Sequence, residues 1–272
     1  MPRALASDGV ELHWEERGSG PTVLLVSYWS FEPRVWEPIT VELESDHRVI
    51  RYDDRGTGRS ERVGPFDMET SAADLEAVAE AAQAGPAVAL AMVDGGNRAV
   101  RVAQRRPDLV SHVVSVGGPP LAREAFAGSD SLISSSTVVG AFLQQLETDY
   151  RSAVRALMEA GNPQMTQDEL RERVVRQIEH VPMETASARV RAWAEDGEAA
   201  APARELGDRL VMLVGGNAGG GWFPDETELR RITREHFPDA VVEEVEEGII
   251  SRPDLAAAVV RRLTAVNVES TA

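Results

Sequence analysis

At 272 residues and 43% hydrophobic content, the chain can bury a substantial core as one large domain, or one domain plus an insertion, so two independent domains are not required. A net charge of −17, from 28 basic and 45 acidic residues, repels a phosphate backbone and argues against a nucleic-acid partner. The chain has no cysteine, and every basic residue is arginine, which removes disulfides, thiolate nucleophiles and a lysine Schiff base together.

In chain order, short apolar runs without clean alternation occur at Val23–Val26, Ala87–Met92, Val113–Val116, Leu210–Val214 and Ala240–Val245. This is the pattern of parallel strands buried on both faces. Helical periods lie between them: Ala72, Leu75, Val78, Ala79 and Ala82 share one face, and Ser71 and Asp74 are spaced as a capping box at its start. Alternating strand and helix predict an α/β fold. After about Pro120 the alternation stops. From Phe126 to Leu206 the pattern is helical, with segments Ala141–Ala160, Gln167–Val181 and Thr185–Ala194 broken by Gly161-Asn162-Pro163 and by Pro182. A helical block between strands of a parallel sheet predicts a lid over the carboxyl ends of the strands. The expected division is a core of residues 1–125 and 206–272 with a lid of residues 126–205.

Tyr52-Asp53-Asp54-Arg55-Gly56-Thr57-Gly58-Arg59-Ser60 follows a strand and resembles the D-x-R-G-x-G-x-S turn of the α/β-hydrolase family. Val88 to Pro107 is similar to that family's fifth strand, nucleophile elbow and following helix, and Arg252-Pro253-Asp254 resembles the start of its last helix. The resemblance covers nearly the whole chain and is weakest in the lid. It implies a mostly parallel central sheet flanked by helices. The family's elbow reads G-x-S-x-G, because its nucleophile sits on a strained strand-to-helix turn. Here the segment is Ala91-Met92-Val93-Asp94-Gly95-Gly96, and aligning the glycine pair puts Val93 on the nucleophile. A register shifted by one residue makes Asp94 the nucleophile, as in haloalkane dehalogenase and epoxide hydrolase relatives. Asp94 also suits an N-cap of the following helix. The resemblance places the triad acid at Ala218 and the histidine at Ile249, so all three triad positions are apolar. The oxyanion loop, normally His-Gly, reads Ser27-Tyr28 and then Trp29. Of the five histidines, His13, His47, His112 and His236 read as surface or packing residues, while His180 in the lid is the one placed to lean into the cleft.

Three functions follow from this reading. The first is non-standard catalysis on an apolar small molecule, an elimination, cyclisation or rearrangement in place of acyl-enzyme hydrolysis. In it Asp94 is the acid or base, Tyr28 and Ser27 donate hydrogen bonds, and Trp29, Val93, Asn217, Trp222 and Ile249 line the pocket. The second is a non-catalytic binder, a pseudoenzyme with an apolar pocket under its lid. The third is a hydrolase with Asp94 as nucleophile, which lacks a histidine to activate water. No metal site is expected, since no histidine and carboxylate cluster has ligand spacing, and no organic cofactor motif is visible; Gly219-Gly220-Gly221 lacks the spacing of a phosphate loop. No stretch reaches the ~18–20 apolar residues of a membrane helix and no secretion signal opens the chain, so the expected location is the cytoplasm.

Overall fold

The all-apolar runs become strands covered on both sides. In the computed structural model β3 (Thr22–Val26), β5 (Ala87–Met92), β6 (Val110–Val116) and β7 (Leu210–Val214) lie side by side and parallel. Successive side chains of a strand point to opposite faces. Leu24, Val26, Ala89, Ala91 and Met212 therefore enter one apolar layer, and Val23, Leu25, Val88, Leu90 and Val211 the other. Helices α2 (Met68–Ala81) and α3 (Asp94–Arg105) close the first layer, and α1 (Glu37–Leu43) and α10 (Pro253–Ser270) the second. With both faces buried, an alternating polar pattern has no place in these strands. The structure describes residues 2–29, 31–121, 126, 129–162, 165–215, 224–245 and 252–270.

The sheet has eight strands in the order β1-β2-β4-β3-β5-β6-β7-β8, with β1 (Arg3–Leu5), β2 (Glu11–Arg17), β4 (Arg48–Tyr52) and β8 (Val241–Glu244) completing it. β1 and β2 are antiparallel to their neighbours and the rest are parallel. Leu24 faces Ala89 across β3 and β5, and Leu90 faces Val114 across β5 and β6. The chain lays β4 on one side of β3 and β5 on the other, so the strand order reverses there. Ligands of parallel sheets bind in the crevice beyond the carboxyl ends at such a switch point. Ser27–Trp29 follows β3, Asp53 follows β4 and Val93 follows β5, all at that end.

Among the described residues five α-helices lie between β6 and β7: α4 (Ser136–Thr148), α5 (Tyr150–Gly161), α6 (Gln167–His180), α7 (Met183–Ala194) and α8 (Ala200–Leu206). The single helix expected over Ala141–Ala160 is two. Asp149 leaves the helical region at φ −146° and accepts the Ser152 N–H at 3.2 Å, so it caps the start of α5. The capping box expected at Ser71 and Asp74 is also corrected. Asp67 caps α2, accepting from Thr70 N at 2.8 Å, because Met68 is already a buried helical residue. Ser71 and Asp74 instead face inward, where Asp74 holds the Arg55 guanidinium with both oxygens at 2.7 Å. Helix α9 (Glu226–His236) precedes β8. Among the described residues no helix is long and apolar enough to cross a membrane.

Candidate functional site

Between β5 and α3 the chain turns on Val93, at φ 47° and ψ −117°. A branched side chain is strained there, by ~1–3 kcal/mol. The glycines that follow permit the turn. A Cβ on Gly95 would lie 2.7 Å from the Val26 carbonyl oxygen, and one on Gly96 2.9 Å from Ser115 Oγ. This close packing sets the register in which Val93 occupies the strained turn residue. Asp94 next to it is the first residue of α3 and wholly buried. It does not cap α3, whose N-cap is Val93 without a side-chain bond.

Asp94 Oδ1 instead accepts the backbone N–H of Trp29 at 2.7 Å. Oδ2 has no hydrogen-bond partner and lies 3.4 Å from the Arg98 guanidinium. Arg98, also fully buried, donates to the Ser27 carbonyl and, at 2.5 Å, to Asp54. Burial pushes the Asp94 carboxyl above the usual carboxylate range, opposed by Arg98 and the Trp29 N–H. In this fold an N–H of the loop after β3 is one of the oxyanion donors. Here that loop N–H is held by a carboxylate of the chain itself.

The remaining residues singled out in the sequence near the elbow form a packed wall. Ser27 Oγ accepts the Trp36 indole N–H at 3.1 Å. Tyr28 stacks on Phe31 with ring centroids 4.2 Å apart, and burial raises its phenol above the ordinary range. Trp29, at φ 41°, packs its ring 5.6 Å from Trp193 and 6.0 Å from Phe142. Asn217, Trp222 and Ile249, like Ala218, lie outside the described residues. His13 is buried in β2, His47 bonds Thr264 Oγ1 at 2.9 Å, His112 lies in β6, and His236 ends α9.

A second cluster lies at the end of β4. His180, the last residue of α6, places Nε2 3.3 Å from Asp53 Oδ1, at ion-pair distance but without hydrogen-bond geometry. The other Asp53 oxygen accepts the Arg59 N–H at 2.9 Å, and Gly58 N donates to the His180 carbonyl at 2.8 Å. Gly58, at φ 48°, is required by the close approach: a Cβ there would lie 2.5 Å from Asp53 Oδ2 and overlap the His180 ring. Burial pushes the Asp53 carboxyl up, but the His180 ring, the Arg59 N–H and nearby positive charge bring it below its ordinary value. The pair borders a cavity of about 470 Å³, also lined by Arg59, Arg176, Arg34 and Glu32. That volume falls within the ~300–1,000 Å³ of small-molecule sites. The sequence singled out His180 but gave Asp53 only a place in a turn. Its signal was position: a carboxylate directly after a parallel strand, where such sheets present ligand-binding groups. Among the described residues no three or more histidines and carboxylates are grouped to hold a metal ion.

Comparison with known proteins adds a family and a class of activity. A family model described as alpha/beta hydrolase fold matches residues 27–187, a span that includes the Trp29 loop, Asp53, the elbow and His180. The chain is 30% identical over 162 residues to a pimeloyl-[acyl-carrier protein] methyl ester esterase of Aliivibrio salmonicida, covering 58% of this chain and 59% of that protein. It is 34% identical over 125 residues to a non-heme haloperoxidase of Rhodococcus erythropolis, covering 44% and 46%. The chain thus spans about three fifths or less of the length of these curated relatives. An esterase from Exiguobacterium antarcticum superposes with a TM-score of 0.78 at 16% identity, covering 97% of this chain and 99% of that one. These findings correct the function expected from the sequence: the relatives are named for ester hydrolysis and haloperoxidation, which points to hydrolase activity and away from elimination, cyclisation or rearrangement.

Proposed function

The chain belongs to the alpha/beta hydrolase fold family, and from that premise we propose that it hydrolyses small-molecule esters by direct attack of water, with His180 as the base and Asp53 as its orienting carboxylate. The observation that carries this reading is the 3.3 Å pair of His180 Nε2 and Asp53 Oδ1 beside a ligand-sized cavity. A base oriented by a third group is the arrangement hydrolytic chemistry needs, and such contacts are often loose before substrate binds.

With Nε2 against the carboxylate, His180 Nδ1 takes a proton from water. The water oxygen bonds to the ester carbonyl carbon, and the tetrahedral intermediate collapses as the alkoxide leaves with the proton that His180 returns. Asp53 stabilises the imidazolium between the two transfers. The guanidinium groups of Arg59 and Arg176 line the same cavity and supply positive charge where the oxyanion develops. General-base catalysis of this kind contributes ~10²–10⁴ in rate.

The elbow has no part in this chemistry. Val93 carries no nucleophile, and by the sequence resemblance Ala218 and Ile249 fall at the positions of the triad acid and histidine, so on this reading the family's triad is degenerate here. Asp94 positions the Trp29 loop, and Val93 and Trp29 form an apolar wall. Residues 126–205 serve as a lid over a core of residues 1–125 and 206–272; α6 of that lid brings His180 to Asp53.

The test is turnover of a panel of short-chain methyl esters by wild type, His180→Gln and Asp53→Asn. His180→Gln is expected to lose ~10²–10³ in kcat, and an organophosphonate to leave the protein unlabelled, because the elbow carries Val93 in place of a serine. Full activity in His180→Gln, or stoichiometric labelling by the phosphonate, overturns the reading.

A further inference from the structure

The face of α6 that carries His180 also carries arginine charge that the protein matches only in part. The cavity of about 470 Å³ opens past Arg34 and Arg176, and both side chains also line an adjoining depression of about 800 Å³. Arg34 is exposed on the 3-10 turn Pro33–Trp36, and Arg173 and Arg176 stand one helical turn apart on α6. The carboxylates bordering the depression are already engaged: Glu37 by Arg17 and Arg51, and Glu42 by Arg261. Within the first cavity Glu15 is engaged by Arg51 and Arg59, and Glu32 by Arg176.

Among the described residues Arg34 and Arg173 make no side-chain hydrogen bond or close ion pair, Arg173 acting on Glu169 only through longer-range attraction. On the His180 side the corresponding unpaired group is Glu179, a negative charge lining the first cavity. The cavity beside the catalytic pair thus mixes paired arginines and carboxylates with Glu179, while the adjoining depression adds Arg34 and Arg173 without a carboxylate at ion-pair distance among the described residues. Guanidinium groups offer planar, paired donors suited to a carboxylate. Pro38 and Val41 provide apolar surface along the depression.

Resting on the hydrolase reading above, we propose that the substrate is an anionic ester: its ester carbonyl lies at His180, its aliphatic chain runs along the depression, and a carboxylate at the remote end is held by Arg34 and Arg173. Glu179 repels that carboxylate from the catalytic end and so sets the direction of binding. Arg34 and Arg173 act as specificity-determining residues and take no part in proton transfer.

The experiment compares monomethyl glutarate with methyl pentanoate, esters of the same chain length with and without the remote carboxylate. Wild type is expected to show kcat/KM at least tenfold higher for monomethyl glutarate, through KM. In Arg34→Gln/Arg173→Gln the two esters are expected to come within twofold of each other, with Arg34→Lys retaining part of the preference. Glutarate binding, followed by calorimetry in His180→Gln, is read alongside and is expected to weaken at least tenfold when Arg34→Gln/Arg173→Gln is added. Equal kcat/KM for the two esters in wild type, or glutarate binding indifferent to the two arginines, overturns the proposal. Arginine-dependent glutarate binding with no turnover of either ester supports the anion site while overturning the hydrolase reading on which the ester depends.

Discussion

Val93 and Asp94 show how a strained strand-to-helix turn is held from inside by its own neighbours. The backbone keeps φ 47° at a β-branched residue, and the adjacent carboxylate ties the Trp29 loop from inside. Restoring a hydroxyl alone therefore does little. Val93→Ser is expected to turn over p-nitrophenyl acetate within twofold of wild type, since the new serine would have no base and the Trp29 N–H would remain occupied by Asp94; a tenfold gain would show that the elbow still holds a working site. Asp94 itself has a pH signature. Its carboxyl is raised above the unfolded value by burial, so its contribution to stability is fully present below the unfolded pKa of ~3.9 and is lost as pH rises through the native one. Asp94→Asn keeps an oxygen for the Trp29 N–H but does not titrate. Relative to wild type it should gain stability as pH rises from 4 towards the raised native pKa, and keep that gain above it. Urea denaturation at pH 4, 5.5 and 7 measures this, and a stability difference independent of pH would mean the carboxyl is not perturbed.

Helix α7 is tied to the core by polar groups where an apolar seam would be expected. Arg189 is fully buried, donating to Ser71 Oγ on α2 at 2.6 Å and to the Arg55 carbonyl at 3.3 Å. Just beyond the helix, Asp196 receives Arg101 at 2.5 Å and Asn97 at 2.9 Å, both from α3. Arg189→Leu leaves two buried oxygens without donors and is expected to cost about 2–3 kcal/mol. Arg191→Leu, on the exposed side of the same helix beside Glu147, is expected to cost no more than ~0.5 kcal/mol; equal losses in thermal denaturation would mean that α7 is not anchored through Arg189. These contacts also explain what the sequence could and could not show. Four of the strands read as buried on both faces were legible from their apolar runs, and the turn after β4 from its glycines; the run Ala240–Val245 instead forms the edge strand β8, with Val241 and Glu244 exposed. β1 went unseen because a three-residue edge strand with exposed Arg3 and Leu5 carries no such run. The α2 cap was misplaced because Ser71 and Asp74 have the spacing of a box while serving Arg189 and Arg55. At the candidate site, His180 was legible as the one histidine placed to lean into the cleft. Its partner was not, because Asp53 meets it across 127 residues of chain, and pairing at that separation leaves no periodicity to read.

For the molecule as a whole, charge opposes compactness. The chain carries −17 overall, and its many exposed ion pairs, such as Arg231 with Glu228 and Glu235, each contribute little in high dielectric. Net self-repulsion acts over long distances, and salt removes it first. The screening length falls from ~30 Å at 0.01 M to ~8 Å at 0.15 M ionic strength, while close pairs and the buried Arg98–Asp54 contact at 2.5 Å are screened far less. Raising salt over that range should therefore stabilise the fold. If relief of repulsion amounts to ~1 kcal/mol, Tm rises by ~2–4 °C for a chain of this size, read by circular dichroism at pH 7.5. The same acidity predicts that the gain shrinks near the sequence pI of 4.8, where there is little repulsion left to screen. A Tm that falls with added salt at pH 7.5 would mean that the surface ion pairs outweigh the net charge.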